Sequence, residues 1–152
     1  MFAIKTDEEF NFLTIEVFKH QYENNAIYKS HIVTNGLSLK SNIYEELANK
    51  FNCTSIEITL DGVKEFHDTR RDTKTKEATF DLIFNNILSI TSLNNYPING
   101  CFIKIRCNVD DTNKEGVIPL IELLAENKLC VFIILYSKLV YHAFCLWFVI
   151  RA

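Results

Sequence analysis

Apolar positions along this chain alternate between a helical rhythm and short β-branched runs, and the alternation predicts the order of its elements. Thr6 and Glu9 have the spacing of a capping box, and Phe10, Leu13, Val17 and Phe18 follow at helical intervals, so a first helix is expected over residues 7–24. Residues 27–34 are short, apolar and β-branched, and they stop at Asn35-Gly36, a turn that calls for a positive φ. Asn42 and Glu45 have cap spacing for a second helix with Ile43, Leu47, Ala48 and Phe51 as its buried stripe. Residues 55–60 predict a second strand. The next 18 residues, 61–78, are polar and without period, longer than an ordinary strand-to-helix connection. Thr79 then opens a third helix with Phe80, Ile83, Phe84, Ile87 and Leu88 on one face, and Asp81 in its first turn suits the helix dipole. Residues 94–100 end it, and Phe102, Ile103, Ile105 and Val109 mark a third strand. Thr112 and Glu115 have cap spacing, but Gly116 and Pro119 set the helix proper from Pro119, with Ile121, Leu123 and Leu124 inside.

A helix followed by three strand–helix units implies an α/β fold built on a parallel sheet with right-handed crossovers. Periodicity does not separate an open sheet from part of a (β/α) barrel. With 152 residues, 48% of them hydrophobic, the chain is long enough for one domain with its own core. From residue 130 the composition changes: residues 130–152 contain no acid, and Ser137, Lys138, His142 and Arg151 are the clearly polar side chains among 23. Residues 130–136 would continue the repeat as a fourth strand, whereas 139–150 are aromatic-rich and unbroken. Three readings compete for this segment: an aberrant or frameshifted end, favoured by the abrupt loss of charge; a strand and buried helix of the core; and, ranked last because of Lys138, a membrane anchor. The expected division is therefore 1–129 and 130–152.

A formal net charge of -3 leaves no electrostatic footprint for nucleic acid. The five cysteines, Cys53, Cys101, Cys107, Cys130 and Cys145, are too widely and irregularly spaced for a zinc or iron–sulfur motif, so they read as reduced, mostly buried thiols. The first residues carry no basic region leading into an apolar core, so a cytoplasmic location is expected and Asn52-Cys53-Thr54 is a chance glycosylation triplet.

Candidate chemistry concentrates where the second strand ends, because ligands of parallel sheets bind at the carboxyl ends of the strands. There Ile58-Thr59-Leu60-Asp61-Gly62 leads into His67-Asp68-Thr69-Arg70-Arg71. Asn35-Gly36 and Asp61-Gly62 are each readable as plain turns, Thr59 as a β-former, Arg70 and Arg71 as a solvated pair matched by Asp68 and Asp72, and His67 as a residue that holds the loop.

Taken together in order, the segments 32–36, 56–71, 79–81 and 105–110 resemble the middle of a radical S-adenosylmethionine (radical SAM) enzyme, within the peptide-modifying maturases that carry a SPASM-type C-terminal domain. The resemblance covers about residues 8–129. It implies a partial (β/α) barrel of three to four parallel strand–helix units, a four-iron four-sulfur cluster with S-adenosylmethionine, and radical-based modification of a peptide or protein. Thr34, Asn35 and Gly36 match the end of a barrel strand that lines the cofactor side. Thr59 matches a strand-end Ser facing the ribose, Asp61 the turn after it, and Arg71 an arginine expected to pair with the cofactor carboxylate. Asn108 matches a position near the adenosyl group or substrate. The family's CxxxCxxC loop and Gly-Gly-Glu motif have no counterpart in this sequence, nor does a downstream cysteine-rich region, so an isolated chain is expected to be inactive. The alternatives are a non-catalytic binding or regulatory subunit that pairs with a complementary partner, and a small membrane-anchored protein.

Overall fold

In the computed structural model the described residues are 30–71, 78–129, 131–137 and 148–149, with Thr6, Glu9, Leu13, Ile15, Glu16, Val17 and His20. Of the expected first helix, those residues from Glu9 to His20 that are described are helical, and the Glu9 amide donates to Thr6 Oγ1 at 3.1 Å, as a capping box requires. Leu13 and Val17 of its expected stripe are exposed, and the rest of that segment lies outside the described residues.

The elements that follow are β1 (Ser30–Thr34), α1 (Ser41–Lys50), β2 (Cys53–Thr59), α2 (Lys64–Arg70), α3 (Phe80–Thr91), β3 (Phe102–Val109), α4 (Val117–Glu126), β4 (Phe132–Ser137) and β5 (Phe148–Val149). One sheet takes all five strands in the order β1-β2-β3-β4-β5. The first three pairings are parallel and the last is antiparallel. Sequential order with no reversal is the winding of a (β/α) barrel, whereas a doubly wound sheet changes direction at a switch point. Burial agrees with that winding. Tyr44 and Ala48 of α1, Phe80, Ile83, Ile87 and Ile90 of α3, and Leu120 and Leu124 of α4 join Ile56, Ile58, Ile103, Ile105 and Ile133 in a single core. The helices therefore cover one face of the sheet, and each fully buried isoleucine there contributes about 1.5–3 kcal/mol.

Several sequence expectations shift. The stripe of α1 is met in part: Ala48 is buried and Leu47 packs on the core as expected, but Tyr44 takes the other inside position while Ile43 and Phe51 are exposed. Tyr44 wins the inside position because its hydroxyl donates to the Cys101 carbonyl at 2.7 Å and accepts from the Ile98 amide at 3.1 Å, satisfying two backbone groups in the core. Neither Asn42 nor Thr79 caps its helix with a side chain; Lys40 and Thr79 occupy the N-cap positions without such a bond. The cap of α3 comes from Asp68, whose Oδ1 accepts from the Thr79 amide at 2.8 Å and the Phe80 amide at 2.9 Å. The arginines beside it pair instead with Asp110 and Asp61. The segment 61–78, expected to be without regular structure, contains α2, and residues 72–77, Asp72 among them, lie outside the described ones. The α4 helix starts at Val117, two residues before Pro119, after a 3-10 turn over Lys114–Gly116. Within the segment expected to begin at residue 130, residues 132–137 form β4, a parallel partner of β3, and residues 148–149 pair back on it. Among the described residues no helix is long and apolar enough to cross a membrane.

Candidate site at the carboxyl edge of the sheet

Alternation along the strands fixes which side chains share a face. Register pairs Ile32 with Ile56 and Thr34 with Ile58, and Ile58 with Ile105, on the helix-covered side. The opposite face carries His31 and Val33 of β1, then Ser55, Glu57 and Thr59 of β2. Lys104, Arg106 and Asn108 of β3, with Ile134 and Tyr136 of β4, continue it. This second face is polar along its centre.

Asp61, two residues past β2, organises the edge. Its side chain is almost wholly buried, yet both oxygens are used. Oδ2 accepts from Arg71 Nε at 2.6 Å, and Oδ1 accepts from the Asn108 amide at 2.9 Å and from Asn108 Nδ2 at 3.2 Å. Arg70 Nε lies 3.7 Å from Oδ2 without a hydrogen bond, while Arg70 Nη1 donates to Asp110 Oδ1 at 2.7 Å. Burial pushes the Asp61 carboxyl up, but the Asn108 amide and the Arg71 guanidinium outweigh it, and the net effect holds the carboxyl below its ordinary value. Asn113 closes the other side: its Nδ2 donates to the carbonyls of Asp61 and Asn108, both at 2.9 Å, tying the turn after β3 to the turn after β2.

His67 fastens α2 to this edge from beneath. The Asp61 amide donates to Nδ1 at 3.2 Å, so Nε2 carries the proton and donates to Thr79 Oγ1 at 3.1 Å. Thr79 Oγ1 in turn donates to the Arg71 carbonyl at 2.9 Å. Burial lowers the pKa of His67, partly opposed by Asp61 and Asp68, so the ring is held neutral and fully bonded. This is a structural role of the kind expected from the sequence.

The expected site residues therefore divide. Asp61, Arg71 and Asn108 meet directly, and Thr59 sits on the same polar face, opposite Arg106 in the register. Thr34 lies on the helix-covered side, and its Oγ1 accepts from the Gly36 amide at 3.1 Å. Asn35 Oδ1 accepts from the Leu37 amide at 3.2 Å. Gly36 has φ +81, and a Cβ there would meet Ile58 Cγ2 at 2.7 Å and Ile83 Cγ2 at 3.1 Å, so the turn needs glycine for both conformation and space. Asn86 Nδ2 braces that turn through the carbonyls of Gly36 and Leu37. A cleft of about 260 Å³ opens between this turn and α2, with Asn35, Arg70, Arg71 and Thr79 among its lining residues.

Sequence reasoning missed the centre of the polar face. Glu57, nearly buried, is placed between Arg106 Nη1 at 3.2 Å and His31 Nε2 at 3.7 Å, and His31 Nδ1 lies 2.7 Å from Ser55 Oγ. Arg106 Nε donates to Asn108 Oδ1 at 3.1 Å, and its guanidinium carbon stands 4.1 Å from the Tyr136 ring centroid, a cation–π geometry. The signal was available in the two-residue spacing of Glu57, Thr59 and Asp61 and of Lys104, Arg106 and Asn108.

Chemically, the edge offers guanidinium N–H donors next to a carboxylate whose own valences are filled, an arrangement suited to holding an anionic group on a ligand. Among the described residues no three His, Cys, Asp or Glu side chains gather to hold a metal ion. Cys53, Cys101 and Cys107 are buried free thiols, and burial pushes Cys107, the one nearest the edge in sequence, up to about 12. These residues do not fit a four-iron four-sulfur cluster, which needs clustered thiolates.

No protein-family model and no curated protein matches this sequence. Among solved structures, native anSMEcpe with bound AdoMet (S-adenosylmethionine) aligns with a TM-score of 0.63 at 19% identity, over 86% of this chain and 33% of that one. The chain thus spans about a third of that protein's length. At this identity the likeness is one of fold, four parallel strands alternating with helices in the same α/β arrangement.

Proposed function

We propose that this chain is part of a radical SAM (β/α) barrel and that its carboxyl edge binds S-adenosylmethionine. The observation that carries the reading is the convergence of Asp61, Arg71 and Asn108 at the ends of neighbouring parallel strands, in a fold like that of an AdoMet-bound protein. In this reading Arg71, half exposed, presents its guanidinium to the methionine carboxylate while Asp61 holds it in place. Thr59 and Asn108 face the ribose and adenine side, and Asn35 of the turn after β1 lines the cleft. Asp61 is a positioning residue here, because its acceptors are already occupied.

The family role, modification of a peptide or protein by a radical drawn from S-adenosylmethionine, belongs to a protein that also supplies a cluster. The described residues of this chain do not fit one, so no chemical step is assigned to them. The chain is accordingly a cofactor-binding portion of a cytoplasmic peptide maturase, dependent on other sequence for catalysis.

Calorimetric titration with S-adenosylmethionine tests the reading. The expected result is weak, saturable binding, with Kd on the order of a millimolar, lost in Arg71→Ala. Absence of binding at high ligand concentration, or binding indifferent to Arg71→Ala, overturns it.

A further inference from the structure

The helical layer carries a second concavity, remote from the polar face and with different chemistry. A groove of about 560 Å³ runs between α3 and α4 and reaches the start of α2. Its floor is apolar: Val63, Phe80, Phe84, Pro119 and Leu123. Phe80 and Phe84 are stacked with centroids 5.6 Å apart and planes 12° from parallel, giving a flat, stiff surface. Its rim is acidic. Glu65, Asp81, Glu122 and Glu126 border the groove with Lys64 as the one cation, and Lys64 is already bonded to Asp81. Glu65, Glu122 and Glu126 have no ion-pair partner among the described residues. The groove therefore carries four carboxylates against one lysine, a local excess of acid.

Pro119, Glu122, Leu123 and Glu126 fall on one stripe of α4 with spacing i, i+3, i+4 and i+7, about 10 Å long, or two turns of a helix. Such a stripe, alternating apolar floor and acidic edge, matches the apolar face and basic flanks of an amphipathic helix laid along it. We infer that the α3–α4 groove docks a basic amphipathic helical segment of a partner protein, with aliphatic or aromatic anchors on Phe80, Phe84 and Leu123 and lysines or arginines over Glu65, Glu122 and Glu126. Nucleic acid is excluded by the sign of the charge, and an acidic or neutral peptide by the uncompensated carboxylates. This inference is independent of cofactor binding at the carboxyl edge.

Fluorescence anisotropy with the full chain and a labelled 14-residue amphipathic probe of leucine, phenylalanine and lysine provides the test, beside the same peptide with glutamate in place of lysine. The expected result is saturable binding of the lysine peptide, at least tenfold weaker binding of the glutamate peptide, and a tenfold loss in the double variant Glu122→Lys, Glu126→Lys. A charge-matched control, Glu46→Lys with Asp111→Lys, changes the net charge equally away from the groove and is expected to lose less than threefold. Phe84→Ala separates apolar docking from charge alone and is expected to lose fivefold or more. Equal loss in the groove and control variants, or no loss in Phe84→Ala, overturns the inference. Hydrogen exchange on the unmodified chain gives a readout independent of variant folding: the probe is expected to protect amides of residues 80–84 and 120–126, and protection elsewhere or none overturns it.

Discussion

Asp61 is the residue on which the edge depends. It is almost wholly buried, yet Arg71, the Asn108 amide and the Asn108 side chain all converge on its carboxylate. Removing it strands donors that were desolvated to meet it, so Asp61→Ala is expected to destabilise the fold by about 3 kcal/mol, read as a lower urea midpoint at unchanged slope. His67 supplies a pH signature. Its folded pKa is depressed by burial, so its contribution is fully present above the ordinary value near 6.5 and is lost as pH falls below that value toward the folded pKa. The urea midpoint should therefore fall between pH 7 and pH 5, and fall less steeply in His67→Gln; equal slopes would show that His67 is not the group responsible. Asp61 and Asn108 were legible in the sequence because each follows or ends an apolar strand, whereas Arg71, at the end of α2, was singled out only through the family resemblance. Glu57 and Arg106 were not, because an isolated Glu or Arg within a strand reads as a solvated residue until the register puts the two on one face, 3.2 Å apart.

Elements were legible where a single face is buried and illegible where a distant residue decides. The three strands and α3 follow from β-branched runs and a strong apolar period. The α2 helix did not, since seven residues held by His67 and Asp68 carry too little periodicity of their own. Its service to α3 is measurable: Asp68 accepts from two first-turn amides across 11 and 12 residues, and Asp68→Ala is expected to cost about 1–2 kcal/mol. The facing of α1 was misjudged in part, at Ile43 and Phe51, for a similar reason. Tyr44 looks amphipathic in sequence, but its hydroxyl joins the helix to the residues before β3, and Tyr44→Phe is expected to cost about 1–2 kcal/mol despite conserving nearly all of the buried ring. An unchanged midpoint in thermal or urea unfolding would show that these two bonds are replaced by water.

For the whole molecule, sequential strand order with helices on one side leaves the other face of the sheet for polar residues that meet at the carboxyl edge. Residue order along the chain predicted the parallel α/β arrangement, but only pairing shows that no switch point interrupts it. Composition alone set residue 130 as a boundary, whereas β4 continues the sheet as far as residue 137. Deleting residues 130–152 removes β4 and uncovers the edge of β3, so the shortened chain is expected to aggregate where the full chain does not. The central claim, that the carboxyl edge is a cofactor site, is tested most directly by heteronuclear NMR of the full chain titrated with S-adenosylmethionine. The account predicts saturable shifts at the amides of residues 34–37, 59–62 and 108 and at the Arg71 side chain, all abolished in Arg71→Ala. Shifts confined to the α3–α4 groove, or none at saturating ligand, would contradict it.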